Sequence, residues 1–157
     1  MNNTIFYLIG HADVGKADVA REIAKLADAR IIDSQDIYDP IFKVVEHEHP
    51  ADMPDAFWDQ VDAVRAAMLK TIETLSPKDW NFVFTHAGFA IPADVGVYRT
   101  VRETAKRRGA RFVPARLLGG KSKRPLLTFD EPDAIDLDMN TVSAQDAAKA
   151  IVAAASG

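Results

Sequence analysis

Apolar positions along the chain switch between two kinds of pattern, short continuous or alternating runs and longer stretches with spacings of three and four. The first kind is typical of buried strands and the second of amphipathic helices. The predicted strands are residues 4–9, 30–32, 80–85, 111–118 and 134–139. The predicted helices are residues 16–29, 36–45, 54–75, 92–108 and 143–155. Such alternation favours an α/β three-layer sandwich, with a five-stranded parallel sheet and helices on both faces.

The same patterns predict which residues form the core. They are Phe6, Leu8, Ile23, Ile32, Phe57, Val61, Met68, Phe82, Phe84, Val101, Phe112, Leu117 and Ile151. The clearest helix carries Phe57, Val61, Val64, Met68, Ile72 and Leu75 on one stripe. With 157 residues the chain is long enough for one core, and we expect residues 1–157 to form a single domain.

Composition narrows the functional classes. There is no cysteine, which excludes disulfides, thiol catalysis and thiolate metal sites. Apolar residues make up 48% of the chain without any run long enough to span a bilayer, so we expect a cytoplasmic protein that does not bind membranes. The net charge of −4 gives no reason to expect a nucleic-acid partner. Composition leaves the oligomeric state open, and a monomer is compatible with it.

Basic residues are concentrated in one part of the chain. Ten of the nineteen lysines and arginines lie within residues 99–124, where Glu103 is the only acid. A positive region of this kind favours an anionic ligand. A solvated helix face followed by loop lysines would give the same pattern.

A phosphate-binding loop is predicted between the first strand and the first helix. Its residues match the pattern GxxxxGK and are Gly10, His11, Ala12, Asp13, Val14, Gly15 and Lys16. Glycines let the backbone fold around phosphate oxygens, backbone amides and the helix start face the anion, and the lysine adds a charged donor. The alternative is an ordinary strand-to-helix turn that contains two glycines and a lysine.

The loop departs from the full pattern at its end. Ala17 stands where a serine or threonine hydroxyl would bind magnesium, and Asp18 follows it. Together with Asp13, Asp18 adds negative charge beside a site intended for anions. Translational GTPases, with their GHVDHGK loop, also have an aspartate at the place of Asp13, but no NKxD segment for guanine follows here. A GTPase is therefore not expected.

The loop, the spacing of elements and the segment IIDSQD at residues 31–36 resemble P-loop small-molecule and nucleotide kinases such as shikimate and gluconate kinases. The resemblance covers most of the chain and implies the strand order 2-3-1-4-5. In shikimate kinases a DSD motif ends the second strand, and its first aspartate helps to organise magnesium while its second contacts substrate. Asp33 matches the first, whereas Gln35 stands at the second, so no substrate carries over. Asp33 is equally suited to cap a helix.

Two further regions bear on this resemblance. The strand at residues 80–85 delivers Thr85 and His86 to the edge where ligands sit in open α/β sheets, although a lone histidine there is more often structural. Kinases of this type also carry an arginine-bearing helical lid between the last two strands. Here only fifteen residues, 119–133, intervene, and we expect no lid helix. Arg124 and its neighbouring lysines are then the residues left to contact phosphate, or belong to a flexible exposed loop.

The resemblance implies ATP as cofactor, with ADP or phosphate as alternatives, and a small-molecule substrate as partner. Lys16 and Asp33 are the candidate catalytic residues, while Ala17 leaves the use of Mg²⁺ open. His47 and His49 lie in a polar loop that offers no third ligand, so no metal site is assigned to them. The function so predicted is phosphoryl transfer from ATP to a small hydroxyl-bearing molecule. The alternative is a P-loop scaffold or interaction module that has lost catalysis.

Overall fold

Strands and helices alternate along the chain in the computed structural model, which describes residues 1–46 and 49–157. The strands are β1 Thr4–Gly10, β2 Ala29–Ile32, β3 Asn81–His86, β4 Arg111–Leu118 and β5 Ile135–Asp138. The helices are α1 Lys16–Ala27, α2 Ser34–Phe42, α3 Asp55–Thr74, α4 Pro92–Arg108 and α5 Ala144–Ser156, and a short 3₁₀ helix forms at Pro50–Asp52. No helix within these described ranges is long and apolar enough to cross a membrane.

The five strands form one sheet in the order β2-β3-β1-β4-β5. Every neighbouring pair is parallel, with Tyr7 opposite Phe84 on one side of β1 and opposite Pro114 on the other. This confirms both the predicted sheet and its order. Because all strands point the same way, their carboxyl ends lie at one edge, where ligands bind in sheets of this type.

Helices cover both faces of the sheet, and successive side chains of β1 pack alternately against the two helix layers. Its seven residues are all buried. Phe6 and Leu8 face the layer formed by α1 and α5. Ile5, Tyr7 and Ile9 face the layer formed by α3 and α4. A strand buried on both faces must be apolar throughout, which is why the start of the chain reads as a continuous apolar run.

The predicted core is confirmed except at two positions, Met68 and Phe112, which are half-buried. The stripe predicted for α3 is displaced. The residues that α3 buries are Phe57, Val61, Arg65, Leu69 and Ile72, whereas Leu75 is 78% exposed. Leu75 follows the last residue of the helix, where it no longer shares the helical face that packs on the sheet.

Local chemistry explains the small shifts in helix boundaries. α1 ends at Ala27, two residues earlier than predicted, because Asp28 adopts a left-handed conformation and its amide closes the helix on Ala24. α2 begins at Ser34, earlier than predicted, because Asp33 and Asp36 cap it reciprocally. α4 matches the prediction at both ends, with Pro92 in its first turn and Gly109 as a left-handed cap.

The connection between β4 and β5 consists of residues 119–134, all of which are described, and contains no helix. The expectation that this segment lacks a helical lid is therefore confirmed. Leu127 and Phe129 anchor its second half, because both are buried in the layer that also contains Tyr7 and Tyr98. His47 lies outside the described residues.

Candidate phosphate-binding site

The carboxyl edge of the sheet brings together most of the side chains that the sequence singled out. Gly10 ends β1 and begins the loop that leads to α1. Asp33 follows β2, and His86 is the last residue of β3. Gly119 follows β4 and begins the long connection to β5. The loop, the candidate carboxylate and the basic connection therefore share one edge.

Two glycines give the loop its shape. At Gly10 a β-carbon would lie 2.7 Å from the backbone oxygen of Leu117 and 2.8 Å from a methyl group of Val14, so no larger residue fits there. Gly15 precedes α1 in a left-handed conformation with φ of 80°, which glycine adopts without steric cost. Val14 between them is buried and fixes the loop to the core. This packing goes beyond what an ordinary turn needs.

Lys16 is the first residue of α1, and its side chain folds back over the loop. Its Nζ donates hydrogen bonds to the backbone oxygens of Gly10, at 2.5 Å, and His11, at 3.1 Å. Burial lowers the pKa of the Lys16 ammonium below its ordinary value, and the nearby Asp13 carboxylate opposes that shift. A partly desolvated ammonium held above the loop is well placed to exchange backbone oxygens for phosphate oxygens.

The acidic residues of the loop have partners that are not metal ions. Asp18 pairs with Arg21 on the exposed side of α1. Asp13 accepts a hydrogen bond from the backbone N–H of Lys121. Ala17 presents only a methyl group. The resemblance implies a hydroxyl ligand for Mg²⁺ at position 17, and the residue present does not fit this role, because the side chain of Ala17 has no oxygen.

Three of the ten basic residues in the stretch 99–124 form ion pairs with acids elsewhere in the fold. Arg116 forms a two-bond ion pair with Asp136, at 2.8 and 2.6 Å, and Arg102 and Arg107 pair with acids of other elements. Within the described part of the chain, the cations of this stretch that lie beside the loop and make no ion pair are Lys121, Lys123 and Arg124. These three side chains place positive charge next to the glycine loop.

A cavity of about 340 Å³ lies between the loop and the connection from β4 to β5. The side chains lining it include those of His11, Lys123, Arg124 and Asn140. The guanidinium carbon of Arg124 lies 3.8 Å from the centre of the Phe89 ring, and His11 contacts the same ring with a centroid distance of 5.8 Å. The structure therefore brings Arg124 and His11 of the predicted site together, through an aromatic residue that the sequence did not single out.

Asp33 caps the N-terminus of α2, the structural role that the sequence left open for it. Its Oδ1 accepts the N–H of Asp36 at 3.0 Å, which caps α2, while Oδ2 makes no hydrogen bond within the described residues. Asp33 also lines a small cavity of about 20 Å³ together with Arg65 and His86. The capping role leaves one oxygen for a second partner, so it does not exclude a functional role.

His86 is buried at the end of β3. Its Nδ1 lies 3.0 Å from the hydroxyl of Tyr7, and its Nε2 lies 3.7 Å from Oδ1 of Asp94. Burial lowers the pKa of His86 to about 4, although Asp94 opposes the shift. The imidazole is therefore neutral at pH 7, with Nδ1 hydrogen-bonded to the Tyr7 hydroxyl and Nε2 facing Asp94. This arrangement makes His86 a positioning group in a buried polar cluster.

Arg65, Phe89 and Asp94 are the residues of this edge that sequence reasoning missed. Arg65 is only 8% exposed, and its guanidinium pairs with Asp62 at 2.9 Å. It occupies the helical position four residues after Val61, so the spacing was correct, but an arginine is not counted as apolar. The short segment after β3 that contains Phe89 has no periodic pattern, and only its place at the edge of the sheet indicated a role.

No protein family model matches the sequence, and no curated protein matches it. Solved structures do match. APS kinase of Mycobacterium tuberculosis in complex with AMPPNP and APS has a TM-score of 0.62 and 13% identity, with 99% of each chain covered. A gluconokinase from Sinorhizobium meliloti has a TM-score of 0.62 and 14% identity, with 98% of this chain and 92% of that chain covered.

Shikimate kinase from Acinetobacter baumannii in complex with shikimate has a TM-score of 0.53 and 17% identity, with 95% of this chain and 90% of that chain covered. The chain spans 60% of a longer matching structure from Chloroflexus aurantiacus, with 9% identity and a TM-score of 0.53. At these identities the comparisons show the fold alone. The chain has the P-loop fold of small-molecule kinases, as the resemblance in the loop, the spacing of elements and residues 31–36 implied.

Proposed function

We propose that this chain binds the phosphates of ATP or ADP at residues 10–16 and acts in the cytoplasm as a small-molecule kinase. The observation that carries the proposal is the position of Lys16, whose ammonium lies over the loop carbonyls directly after the left-handed Gly15. A turn with a purely structural role needs neither a partly buried ammonium nor a glycine at each end.

The surroundings of the loop support a nucleotide as the ligand. The cavity of about 340 Å³ beside it has basic side chains near the loop, and Asn140 supplies an amide on its wall. Phosphates would lie in the loop, and the rest of the nucleotide would extend into this cavity. One structure of the same fold was solved in complex with AMPPNP, which supports a nucleotide as the ligand proposed here.

Phosphoryl transfer in this site would rest on positioning and charge. An oxygen of the substrate hydroxyl attacks the γ-phosphorus of ATP, the bond from that phosphorus to the bridging oxygen breaks, and ADP leaves. Lys16 stabilises the negative charge that spreads over the transferred group. The unbonded Oδ2 of Asp33 accepts the proton of the attacking hydroxyl. No step is assigned to a metal ion, since Ala17 provides no ligand.

The acceptor substrate would bind at the ends of β2 and β3. Asp33, Arg65 and His86 meet in one small cavity there, and Arg65 also lines a groove of about 420 Å³ between α3 and α4. Asp33 and Arg65 suit a small polar molecule with a hydroxyl group, because Oδ2 of Asp33 can accept and the guanidinium of Arg65 can donate a hydrogen bond. Tyr7 and Asp94 hold His86 in place.

A second function is favoured by Ala17 and by the helix-free connection of residues 119–134. Without a hydroxyl ligand for Mg²⁺ and a lid that excludes water, a P-loop domain has lost two aids to catalysis. In this alternative the domain is a scaffold or interaction module. It predicts that the loop binds no nucleotide.

Isothermal titration calorimetry of the whole chain with ATP and ADP, each with and without Mg²⁺, separates the two functions. Binding of either nucleotide in the micromolar to low millimolar range, with little dependence on Mg²⁺, supports the proposal. The absence of any heat of binding at millimolar nucleotide contradicts it and favours the scaffold. Release of ADP in the presence of small hydroxylated molecules then tests transfer itself.

A further inference from the structure

The connection after β4 crosses the phosphate loop before it enters the core. We call residues 119–127 the strap. Its far end is fixed by two backbone hydrogen bonds, from the N–H of Ala90 to the oxygen of Pro125 at 2.9 Å and from the N–H of Leu127 to the oxygen of Gly88 at 2.8 Å. Its near end begins where β4 ends. Between these points one contact joins the strap to the phosphate loop.

That contact is made by Asp13. Its Oδ2 accepts the backbone N–H of Lys121 at 2.9 Å, across 108 positions of sequence. Gly120 lies against the same carboxylate, and a β-carbon there would overlap Oδ1 of Asp13. The strap approaches Asp13 so closely only because residue 120 has no side chain. The loop is thus joined to the strap by a side chain that belongs to the phosphate loop itself.

The backbone of the strap is shaped for this contact. Gly119 has φ of 113° and Gly120 has φ of 77°, two successive values that residues with side chains rarely adopt. Gly119 also packs closely against the side chain of Asn140, so a larger residue would displace the strap there as well. The two glycines turn the chain directly after β4 and aim the amide of Lys121 at Asp13.

Asp13 interacts with Lys16, the same ammonium group that a bound phosphate would contact. Its carboxylate acts on Lys16 strongly enough to oppose the effect of burial on the pKa of that ammonium. A nucleotide phosphate would bring further negative charge to Lys16. Like charges at a shared site repel each other, so a bound phosphate and the Asp13 carboxylate oppose one another.

We propose that Asp13 latches the strap over the phosphate loop, and that phosphate binding and the latch are mutually opposed, so that the latch regulates access to the site. The regulation rests on the proposed function, whereas the latch itself does not. Release of the latch frees Lys121 and Lys123, which make no ion pair within the described residues, to contact the phosphates, while Arg124 stays stacked on Phe89. Ligand binding and strap release are then coupled, and the coupling is reciprocal.

Limited digestion with trypsin tests the latch without any ligand, because trypsin cleaves after lysine and the strap exposes Lys121 and Lys123. The bond after Arg124 precedes Pro125 and resists trypsin. Asp13→Ala and Gly120→Ala remove the contact from opposite sides, and each should raise the rate of cleavage after Lys121 or Lys123 about two- to tenfold. In the double variant the two effects should not add. Glu22→Ala removes one negative charge from α1, and Gly96→Ala adds a methyl group in open space, so both controls should leave the cleavage rate unchanged.

Cleavage rates that are equal in the parent and in Asp13→Ala would overturn the latch. Effects of Asp13→Ala and Gly120→Ala that add fully in the double variant would overturn it too, since two residues of one contact cannot act independently. Circular dichroism and thermal melting show whether each variant is folded. Should Asp13→Ala fail to fold, Asp13→Asn keeps an acceptor for the Lys121 amide and removes the charge, so it still tests the competition described next.

Titration with inorganic tripolyphosphate tests the regulation. Asp13→Asn and Asp13→Ala should bind it at least threefold more tightly than the parent chain, and Glu22→Ala should bind like the parent, at matched ionic strength. If Asp13→Ala raises the cleavage rate but leaves the affinity for tripolyphosphate unchanged, the latch exists. Its proposed competition with phosphate is then wrong. If no variant binds tripolyphosphate or ATP, the proposed function fails together with the regulation, and the digestion alone decides whether the latch exists.

Discussion

The hydroxyl of Tyr7 and Nδ1 of His86 lie 3.0 Å apart, although the two residues are 79 positions apart in the chain. They belong to β1 and β3, the two strands that precede the phosphate loop and the segment containing Phe89. This hydrogen bond links the side chains near the carboxyl ends of the two strands. It also places a titratable group inside the protein, which gives the fold a dependence on pH.

We predict that His86 destabilises the fold in mild acid. In the unfolded chain His86 takes up a proton near pH 6.5, whereas burial lowers its pKa to about 4 in the folded chain. Between these values the unfolded state binds more protons, so the free energy of unfolding falls as the pH falls, by at most about 1.4 kcal/mol per pH unit from this residue.

Urea unfolding of the parent and of His86→Gln between pH 4.5 and 7.5 measures this effect. Glutamine can still hydrogen-bond to Tyr7 but does not titrate. Asp94 and Arg65, which act on His86 from α4 and α3, stay in place in both chains. The difference in unfolding free energy between the two chains should therefore change below pH 6.5 and be constant above it. A difference that does not vary with pH would show that His86 is protonated normally in the folded chain.

Phe84→Ala should destabilise the protein by about 3–5 kcal/mol, because it leaves a cavity in a buried central strand. Phe84 is 5% exposed and pairs with Tyr7 on β1. Leu75→Ala is the control, since Leu75 is 78% exposed and its truncation removes little buried surface. Differential scanning calorimetry should show a large fall in melting temperature for the first variant alone. An unchanged melting temperature for Phe84→Ala would contradict the assignment of β3 to the core.

Two glycine-to-alanine changes should have opposite effects on stability. Gly10→Ala places a β-carbon 2.7 Å from the backbone oxygen of Leu117, so the loop and β4 must move apart and the protein should be destabilised. Gly96→Ala lies inside α4 with nothing within 4 Å of the new methyl group, and should stabilise the helix by about 0.5–1 kcal/mol. Chemical unfolding of both variants checks the pair. Equal effects of the same sign would show that the packing of Gly10 does not shape the loop.

Much of this fold could be predicted from the sequence, because short sequence signals and the tertiary structure favoured the same helices and strands. Pro92 and Gly109 mark the two ends of α4, and the apolar run of β1 indicated a central strand. The loop residues 10–16 were found at the end of that strand, as the GxxxxGK pattern required. In each case a rule about short segments was enough, since the tertiary structure did not override it.

The other parts of the site depend on contacts between distant residues, which no periodic pattern reports. The burial of Arg65 could not be predicted, because a charged side chain interrupts an apolar stripe in the sequence while it completes one in the structure. The bond between Asp13 and Lys121 joins two loops, and its only local signal was the pair Gly119 and Gly120. Asp33 was open to two interpretations, and the structure shows the cap.

Ala17→Ser should introduce a dependence on Mg²⁺ into ATP binding, because it supplies the hydroxyl oxygen that the end of the loop lacks. Ala153→Ser adds the same hydroxyl on an exposed position of α5 and is the control. Calorimetric titrations with and without Mg²⁺ should differ for the first variant and agree for the control. A Mg²⁺ dependence already present in the parent would show that another residue of the parent chain binds the metal, and no Mg²⁺ dependence in Ala17→Ser would contradict the prediction.

The most direct test of the phosphate site compares ATP binding by the parent chain, Lys16→Ala and Lys25→Ala in the same calorimetric titration. Lys25 lies on α1 as well, but its ammonium pairs with Glu22 at 2.7 Å on the exposed side. A hydrogen bond from a charged donor contributes about 1.5–3 kcal/mol, so Lys16→Ala should bind ATP about tenfold or more weakly, with or without Mg²⁺, while Lys25→Ala binds like the parent. Equal affinities of the parent and Lys16→Ala would contradict the account, because the nucleotide would then bind somewhere other than this loop.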